Sequence, residues 1–130
     1  MKFEINSDPA NLKIVRQKVR QAISEFQFSG CDVDTLILAI DESVQNIIRY
    51  AYNMDKEKKI NFEILKENQN LIFKIRDFGK QVPLDQIQSR DLKDVKPGGL
   101  GVHFIKSIAK EVKYTHQDDE FGGTEIFLKF

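Results

Sequence analysis

The sequence predicts an α+β fold, a two-layer α/β sandwich in which a mixed, mainly antiparallel sheet carries three helices on one face. The chain has 130 residues, of which 41% are hydrophobic, enough to build one core without disulfides. Its hydrophobic periodicity gives the order strand, helix, helix, strand, strand, loop, helix, strand, strand. Strands that follow one another without intervening helices favour antiparallel pairing over a doubly wound parallel sheet. We therefore expect residues 1–130 to form a single domain.

The composition of the chain excludes several classes of function. The 20 Lys and Arg residues balance 20 Asp and Glu residues and are scattered along the chain, which argues against nucleic acid or a membrane surface as partner. No apolar run approaches the roughly 18 residues that a membrane span requires. A single cysteine, Cys31, excludes an internal disulfide and a zinc cluster and favours a cytoplasmic location. Specificity must therefore come from a site.

The first two elements are predicted to be a short strand and an amphipathic helix. Residues 1–5 alternate weakly between polar and apolar side chains, which predicts an edge strand. Ser7-Asp8-Pro9 supplies a helix cap with proline in the first turn, and Ser29-Gly30 ends the helix. Its apolar residues recur at spacings of three and four, which indicates a helix with one buried face. They are Leu12, Val15, Val19, Ile23 and Phe26.

A second helix is predicted to begin at Asp32 or Asp34, either of which is a suitable N-cap, and to run to about Asn53. Its apolar residues cover most of the circumference, so the helix is largely buried. They are Leu36, Ile37, Leu38, Ile40, Val44, Ile47 and Ile48.

A narrow polar stripe interrupts this apolar helix. Glu42, Asn46 and Arg49 fall within about 60° of one another at α-helical spacing. A carboxylate and a carboxamide one turn apart are costly to bury unless a polar group meets them. An Asn oxygen suits a hard cation such as Mg²⁺, and a Glu accepts a proton from a hydroxyl or a water. The alternative interpretation is that the stripe is only the solvated edge of the helix.

An antiparallel hairpin is predicted next, from strands at residues 59–66 and 71–76 joined by a turn at residues 67–70. Alternation in the second strand directs Leu71, Phe73 and Ile75 to the core, and Asp77 continues that face. In Asp77-Phe78-Gly79 the carboxylate is placed to accept a hydrogen bond from a ligand such as the amino group of a purine. The alternative is that Asp77 caps the following turn.

The remaining chain contains a long loop, a third helix and two strands. Residues 79–99 lack periodicity apart from one possible short helical turn, and loops of this length are often binding segments. Gly98-Gly99-Leu100-Gly101 opens the helix, where backbone N–H groups attract a phosphate, although such glycines also serve as hinges. Strands are predicted at residues 113–116 and 124–130. Thr124, if it is not simply part of the turn, directs its hydroxyl inward beside Asp77.

These four segments, in this order, resemble the sequence boxes of the GHKL (Bergerat) ATP-binding fold. Glu42-xxx-Asn46 is similar to the N box, Asp77-Phe78-Gly79 to the G1 box, Gly99-Leu100-Gly101 to the G2 box and Gly123-Thr124 to the G3 region. Within that superfamily, Asp41-Glu42-Ser43-Val44-Gln45-Asn46, with Ala51-Tyr52 after it, and Gly98-Gly99-Leu100-Gly101-Val102 most resemble the anti-sigma-factor serine kinases of the RsbW type.

The resemblance implies ATP and Mg²⁺ as cofactors and assigns roles to the matching residues. Glu42 is the implied catalytic base that activates the acceptor serine, and Asn46 is the implied Mg²⁺ ligand. Asp77 would bind the adenine amino group in a pocket shaped by Gly79 and Thr124. Residues 80–98 correspond to the ATP lid. The implied cofactor-binding residues are Asn46, Arg49, Asp77, Gly79, Gly99, Leu100, Gly101 and Thr124.

The resemblance also implies an activity and partners. The expected function is an ATP-dependent protein serine/threonine kinase that phosphorylates an STAS-domain anti-anti-sigma protein and, as a homodimer, binds an RNA polymerase sigma factor. One alternative is a weakly catalytic or non-catalytic switch that binds ATP and regulates its partners by binding. Another is the catalytic domain of a sensor histidine kinase, which is less favoured because the sequence shows no dimerisation helix bearing a phosphoacceptor histidine. The chain departs from the family at Gln81, where many members carry a glycine, and at Tyr50, where a histidine is common. In addition, Pro97 leaves Lys93 or Lys96 as the nearest lid cation.

Overall fold

The computed structural model describes residues 1–81 and 99–130. Residues 82–98, which include most of the predicted loop with its possible helical turn, the lid lysines, Pro97 and Gly98, therefore lie outside the described residues. Within the described ranges no helix is long and apolar enough to cross a membrane.

A five-stranded sheet forms one layer of the fold. The strands are β1 (Lys2–Asn6), β2 (Lys59–Glu67), β3 (Asn70–Arg76), β4 (Glu111–His116) and β5 (Thr124–Lys129). Their spatial order is β1-β2-β3-β5-β4, and every neighbouring pair is antiparallel. The predicted strands are all present, and the mainly antiparallel sheet is confirmed.

In residues 1–81 and 99–130, three α-helices form the second layer: α1 (Leu12–Glu25), α2 (Val33–Asn46) and α3 (Gly99–Ile108). A 3₁₀ turn at Pro9–Asn11 precedes α1, and the Asp8 carboxylate accepts a hydrogen bond from the Ala10 N–H at 2.9 Å. The prediction that α1 continues to Ser29-Gly30 is wrong. The helix ends at Glu25 because Gln27 adopts a positive φ of 52°, which cannot continue a right-handed helix.

Helix α2 begins at a side-chain cap and ends in an unusual turn. Asp32 is the N-cap, since its carboxylate accepts a hydrogen bond from the Thr35 N–H at 3.1 Å. The predicted α-helix to about Asn53 is too long. Residues Ile47–Ala51 form a π-helical turn, in which the Tyr52 N–H bonds the Ile47 carbonyl at 3.0 Å. Single π-turns of this kind are frequent at functional sites.

The hydrophobic core lies between the helices and one face of the sheet. Phe73 on β3 pairs with Ile64 on β2 and Leu128 on β5, and all three side chains are fully buried. They join one cluster with residues from every helix: Val15 and Val19 on α1, Leu36, Ile40 and Val44 on α2, and Ile105 on α3. The three helices therefore cover the same face of the sheet, as predicted.

The core-facing side of the sheet becomes polar at one end. Asp77 follows directly after β3, and Thr124 and His116 lie at the adjoining ends of β5 and β4, where they are paired in register. Since alternate residues of a strand share a face, these three residues continue the inward rows of Ile75, Ile126 and Tyr114. This polar end of an otherwise apolar layer is where the candidate site lies.

Candidate functional site

Asp77 and Thr124 lie side by side, as the sequence predicted. Asp77 is 2% exposed and Thr124 is 6% exposed. The Asp77 N–H donates to the Thr124 carbonyl at 3.0 Å, which extends the β3–β5 ladder by one residue beyond the end of β3. The extension keeps Asp77 on the core-facing side rather than releasing it to solvent.

The Asp77 carboxylate is buried with only part of its hydrogen-bonding capacity used. Burial raises the pKa of Asp77 above its usual range, while hydrogen bonds from the backbone N–H groups of Gly79 and Thr124, and then the charges of Arg76 and His116, oppose the rise. The Gly79 N–H donates to Asp77 Oδ1 at 3.0 Å. A carboxylate can accept about four hydrogen bonds. Asp77 therefore has capacity for a ligand that donates, which suits an exocyclic amino group.

Two glycines beside Asp77 allow backbone segments to pack without side chains between them. A Cβ at Gly79 would overlap the Ala51 carbonyl and lie 2.8 Å from Tyr52 Cδ1. Gly123 has a φ of 80°, and a Cβ there would overlap the Asp77 carbonyl. Gly79 therefore contacts the π-turn, and Gly123 contacts the end of β3. The expected part of Gly79 in shaping a nucleotide pocket stays a prediction.

Glu42 and Asn46 lie one turn apart on α2, and both are partly buried. Asn46 Oδ1 is inaccessible and has no hydrogen-bond partner within residues 1–81 and 99–130. Leaving a buried polar atom unpaired costs about 1–3 kcal/mol. A carboxamide oxygen in that state suits a hard cation.

The donor set fits Mg²⁺ bound together with phosphates. No cluster of three His, Cys, Asp or Glu residues that could hold a metal occurs in the part of the chain that the structure describes. Mg²⁺ usually takes one or two protein oxygens and completes its shell with phosphates and waters. A lone Asn oxygen next to a nucleotide is compatible with that arrangement.

Arg49 lies in the π-turn and not on the α-helical stripe from which it was predicted. Its Nη2 donates to Gln45 Oε1 at 3.1 Å. The wider π-turn changes the angular position of every residue after Asn46, and an α-helical projection does not include this change. The assignment of Arg49 to nucleotide binding stays a prediction.

Helix α3 begins at Gly99, so Gly99, Leu100 and Gly101 form its first turn. The first N–H groups of an α-helix have no partner inside the helix and are available to an anion. The position agrees with the expected phosphate-binding segment, whose binding role stays a prediction.

Two residues that the sequence did not assign also hold the segment after β3. Gln81 Nε2 donates to the carbonyls of Gln117 at 3.0 Å and Gly123 at 2.9 Å. Arg76 Nη2 donates to the Gly122 carbonyl at 2.7 Å, and the Arg76 guanidinium lies 4.8 Å from the Phe78 ring centroid. Both side chains connect the end of β3 to the β4–β5 turn. No local signal predicts these hydrogen bonds, because the accepting carbonyls are 36 to 46 residues away.

Comparison with known proteins agrees with this geometry. Residues 5–130 match the family described as the histidine kinase-like ATPase domain. The serine-protein kinase RsbW of Bacillus velezensis is 24% identical over 123 residues, which cover 87% of this chain and 76% of that protein. The RsbW of Bacillus subtilis is 23% identical over the same shares of both chains.

Solved structures show the same fold. The SiaB–SiaC complex from Pseudomonas aeruginosa gives a TM-score of 0.73 at 10% identity and covers 100% of this chain and 88% of that chain. The RsbU and RsbW domains of Rv1364c from Mycobacterium tuberculosis give a TM-score of 0.64 at 18% identity, over 99% of this chain and 30% of that one. Since the family match spans nearly the whole chain and the fold agrees with it, the chain belongs to the histidine kinase-like ATPase domain family.

Proposed function

We propose that this protein is an ATP-dependent protein serine/threonine kinase of a bacterial partner-switching system. Its substrate would be a serine on an STAS-domain anti-anti-sigma protein, and its second partner an RNA polymerase sigma factor bound by a kinase homodimer. The observation that carries the proposal is the presence of Glu42 one turn before Asn46, whose buried oxygen has no partner among the described residues. The similarity to proteins named serine-protein kinase RsbW supports it.

The nucleotide would lie between the polar end of the sheet and helix α2. Asp77 would accept a hydrogen bond from the adenine amino group, with the Thr124 hydroxyl beside it. The first turn of α3, Gly99 to Gly101, would donate its free N–H groups to the phosphates. Arg49 is a further candidate contact on the π-turn. Asn46 would hold Mg²⁺, which when bound supplies neutralisation of the phosphate charge.

Glu42 would act as the base in phosphoryl transfer. The serine hydroxyl oxygen would attack the γ-phosphorus, its proton would pass to the Glu42 carboxylate, and the bond from the γ-phosphorus to the ADP oxygen would break. Most of the rate acceleration in such transfers comes from positioning and charge stabilisation. We therefore expect the loss of Asn46, like the loss of Glu42, to lower the transfer rate. A cytoplasmic location is part of the same proposal.

The first experiment is a calorimetric titration of the purified protein with ATP, with and without Mg²⁺, repeated on Asp77→Asn and Asn46→Ala. Binding that requires Asp77 and depends on Mg²⁺ only when Asn46 is present would support the nucleotide site. No binding by the wild-type protein would contradict it.

Transfer is tested separately with a purified STAS-domain protein and labelled ATP. Glu42→Ala should bind ATP as the wild type does and should not phosphorylate the serine. Binding of ATP by the wild type without any transfer would instead favour the switch that regulates by binding alone. Transfer at the wild-type rate by Glu42→Ala would exclude Glu42 as the base.

A further inference from the structure

Tyr52 connects three segments of the candidate site through its side chain. It is 6% exposed and lies immediately after the π-turn that ends α2. Its hydroxyl accepts a hydrogen bond from the Phe78 N–H at 2.7 Å and donates one to the Lys59 carbonyl at the start of β2. One buried hydroxyl therefore joins the end of α2, the first residue of β2 and the residue next to Asp77.

The same segments are also in direct backbone contact. The Lys80 N–H donates to the Ala51 carbonyl in the π-turn at 2.8 Å. The Tyr52 ring packs against Gly79 so closely that an added Cβ would lie 2.8 Å from Cδ1. Residues 78, 79 and 80 are thus each held by residue 51 or 52. The π-turn itself starts at the residue after Asn46.

We propose that Tyr52 is a positioning residue for nucleotide binding, which fixes the segment carrying Asp77 relative to the helix carrying Glu42 and Asn46. This inference rests on the proposed function, because it assigns ATP to the same site. A ligand that must contact Asp77 with its base and Asn46 through its phosphates requires a fixed separation between the two. Residues 46 to 52 connect Asn46 covalently to Tyr52, and the Tyr52 hydroxyl connects this segment by a hydrogen bond to Phe78, the residue next to Asp77.

The electrostatics of the hydroxyl agree with its place beside Asp77. Burial raises the pKa of Tyr52 to about 12, the Phe78 N–H donor opposes the rise, and the Asp77 carboxylate adds to it. Tyr52 is therefore a neutral hydroxyl at any physiological pH and keeps its donor proton for Lys59. Tyr114 on β4 provides a comparison, since burial alone raises its pKa to about 12.

The test uses Tyr52→Phe with Tyr114→Phe as a matched control, because each change removes the hydroxyl of a buried tyrosine in the same core. We expect the ATP dissociation constant of Tyr52→Phe to rise about tenfold, and that of Tyr114→Phe to stay at the wild-type value. Hydrogen exchange at the Phe78 amide should become faster in Tyr52→Phe only, in the absence of nucleotide.

A second readout follows the ionisation of Asp77. If Tyr52→Phe loosens residues 78 and 79, the Gly79 N–H bond to Asp77 weakens and the pKa of Asp77 rises further. The pH below which ATP affinity falls should then move upward in Tyr52→Phe and remain unchanged in Tyr114→Phe. A purely structural loss would lower the melting temperature of both variants without moving this pH.

Each outcome decides the inference. The role of Tyr52 would be overturned if Tyr52→Phe bound ATP with wild-type affinity and lost that affinity at the same acidic pH as the wild type. The nucleotide site itself would remain supported. Failure of the wild-type protein to bind ATP would overturn the proposed function and this role with it. If Tyr52→Phe does not fold, the test instead records NMR signals of the wild-type protein with labelled tyrosine ring carbons. The chain has three tyrosines, and ATP should shift the Tyr52 signal and leave the Tyr114 signal in place; an unmoved Tyr52 signal would overturn the role.

Discussion

The two ends of the candidate site differ in how their polar groups are paired. At the base end, residues 77–81, backbone N–H groups donate to Thr124 on β5, to the Tyr52 hydroxyl and to Ala51 in the π-turn. The Gln81 side chain adds hydrogen bonds to the β4–β5 turn. At the phosphate end, formed by Glu42 and Asn46 on α2, Asn46 Oδ1 is buried without a partner in the described chain. The difference indicates that the base end is organised without a ligand; on the proposed function, the ligand and its cation would complete the phosphate end.

The largest expected effect comes from removing the charge at the base end. Asp77→Asn should weaken ATP binding by at least about 100-fold. The new amide would present N–H donors to the N–H donors of the adenine amino group, so the hydrogen bond to the base would be lost. Calorimetry measures the loss. Affinity within about threefold of the wild type would mean that Asp77 is not the base-binding residue.

The same substitution should stabilise the free protein at neutral pH. Burial raises the pKa of Asp77 in the fold, so the stability that this group contributes is present at pH values below its unfolded pKa. It is lost as the pH rises through the folded pKa. In urea unfolding, the free energy of unfolding of Asp77→Asn should therefore increase relative to that of the wild type as the pH rises above about 4. The difference should be on the order of 1 kcal/mol at neutral pH. A difference that does not change with pH would contradict this account.

The next effect tests whether close backbone packing holds the base end. Gly123 and Gly122 both have positive φ, 80° and 62°, but an added Cβ meets the Asp77 carbonyl at Gly123 and nothing within 4 Å at Gly122. We expect Gly123→Ala to lower the free energy of unfolding by about 2–4 kcal/mol. Gly122→Ala should cost only the conformational strain, about 1 kcal/mol. Equal losses in thermal unfolding would show that the contact with Asp77 is not what limits Gly123.

Local patterns in the sequence predicted the elements and the direction of Asp77, because strand alternation depends only on neighbouring residues. Asp77 lies on the core face for the same reason as Phe73 and Ile75. The end of α2 was not predictable in this way. Ala51 and Tyr52, at the end of the π-turn, contact residues 78–80. Because these residues are distant along the chain, a local pattern does not contain this information.

Side chains with distant partners were missed for the same reason. The sequence marked Gln81 only as a departure from the family pattern, and Tyr52 only as part of a motif. Their contacts reach residues 36 to 42 positions away for Gln81 and 26 positions away for Tyr52. The Arg49 assignment assumed an α-helix where the chain forms a π-turn.

A smaller effect is expected at the phosphate end. Asn46→Ala removes a buried oxygen that has no partner in residues 1–81 and 99–130, so the free energy of unfolding should stay within about 0.5 kcal/mol of the wild type or increase. ATP affinity in the presence of Mg²⁺ should fall about tenfold, with no change in its absence. Asn61→Ala is the control, because Asn61 Oδ1 is also buried and unpaired within the described chain but lies on β2, on the opposite face of the sheet. If Asn61→Ala weakens ATP binding as much as Asn46→Ala, the Mg²⁺ assignment fails.

The smallest effect should come from Gln81, and it measures how much redundancy the base end has. Gln81 is exposed, and its two hydrogen bonds join residue 81 to the β4–β5 turn. Asp77, Phe78 and Lys80 each keep a separate hydrogen bond of their own backbone N–H to Thr124, Tyr52 or Ala51. We therefore expect Gln81→Ala to cost about 0.5–1 kcal/mol of stability and to raise the ATP dissociation constant by about threefold at most.

Gln21→Ala is the matched control for Gln81→Ala, because Gln21 is also exposed and its carboxamide N–H donates to Glu25 on the same helix, α1. That pair is worth about 0.2–0.5 kcal/mol, and its loss should leave ATP binding unchanged. If Gln81→Ala instead weakened binding as much as Asp77→Asn, the backbone bonds at residues 77–80 would be insufficient on their own. The base end would then depend on a single exposed side chain, and the redundancy of hydrogen bonds by which it differs from the phosphate end would be absent.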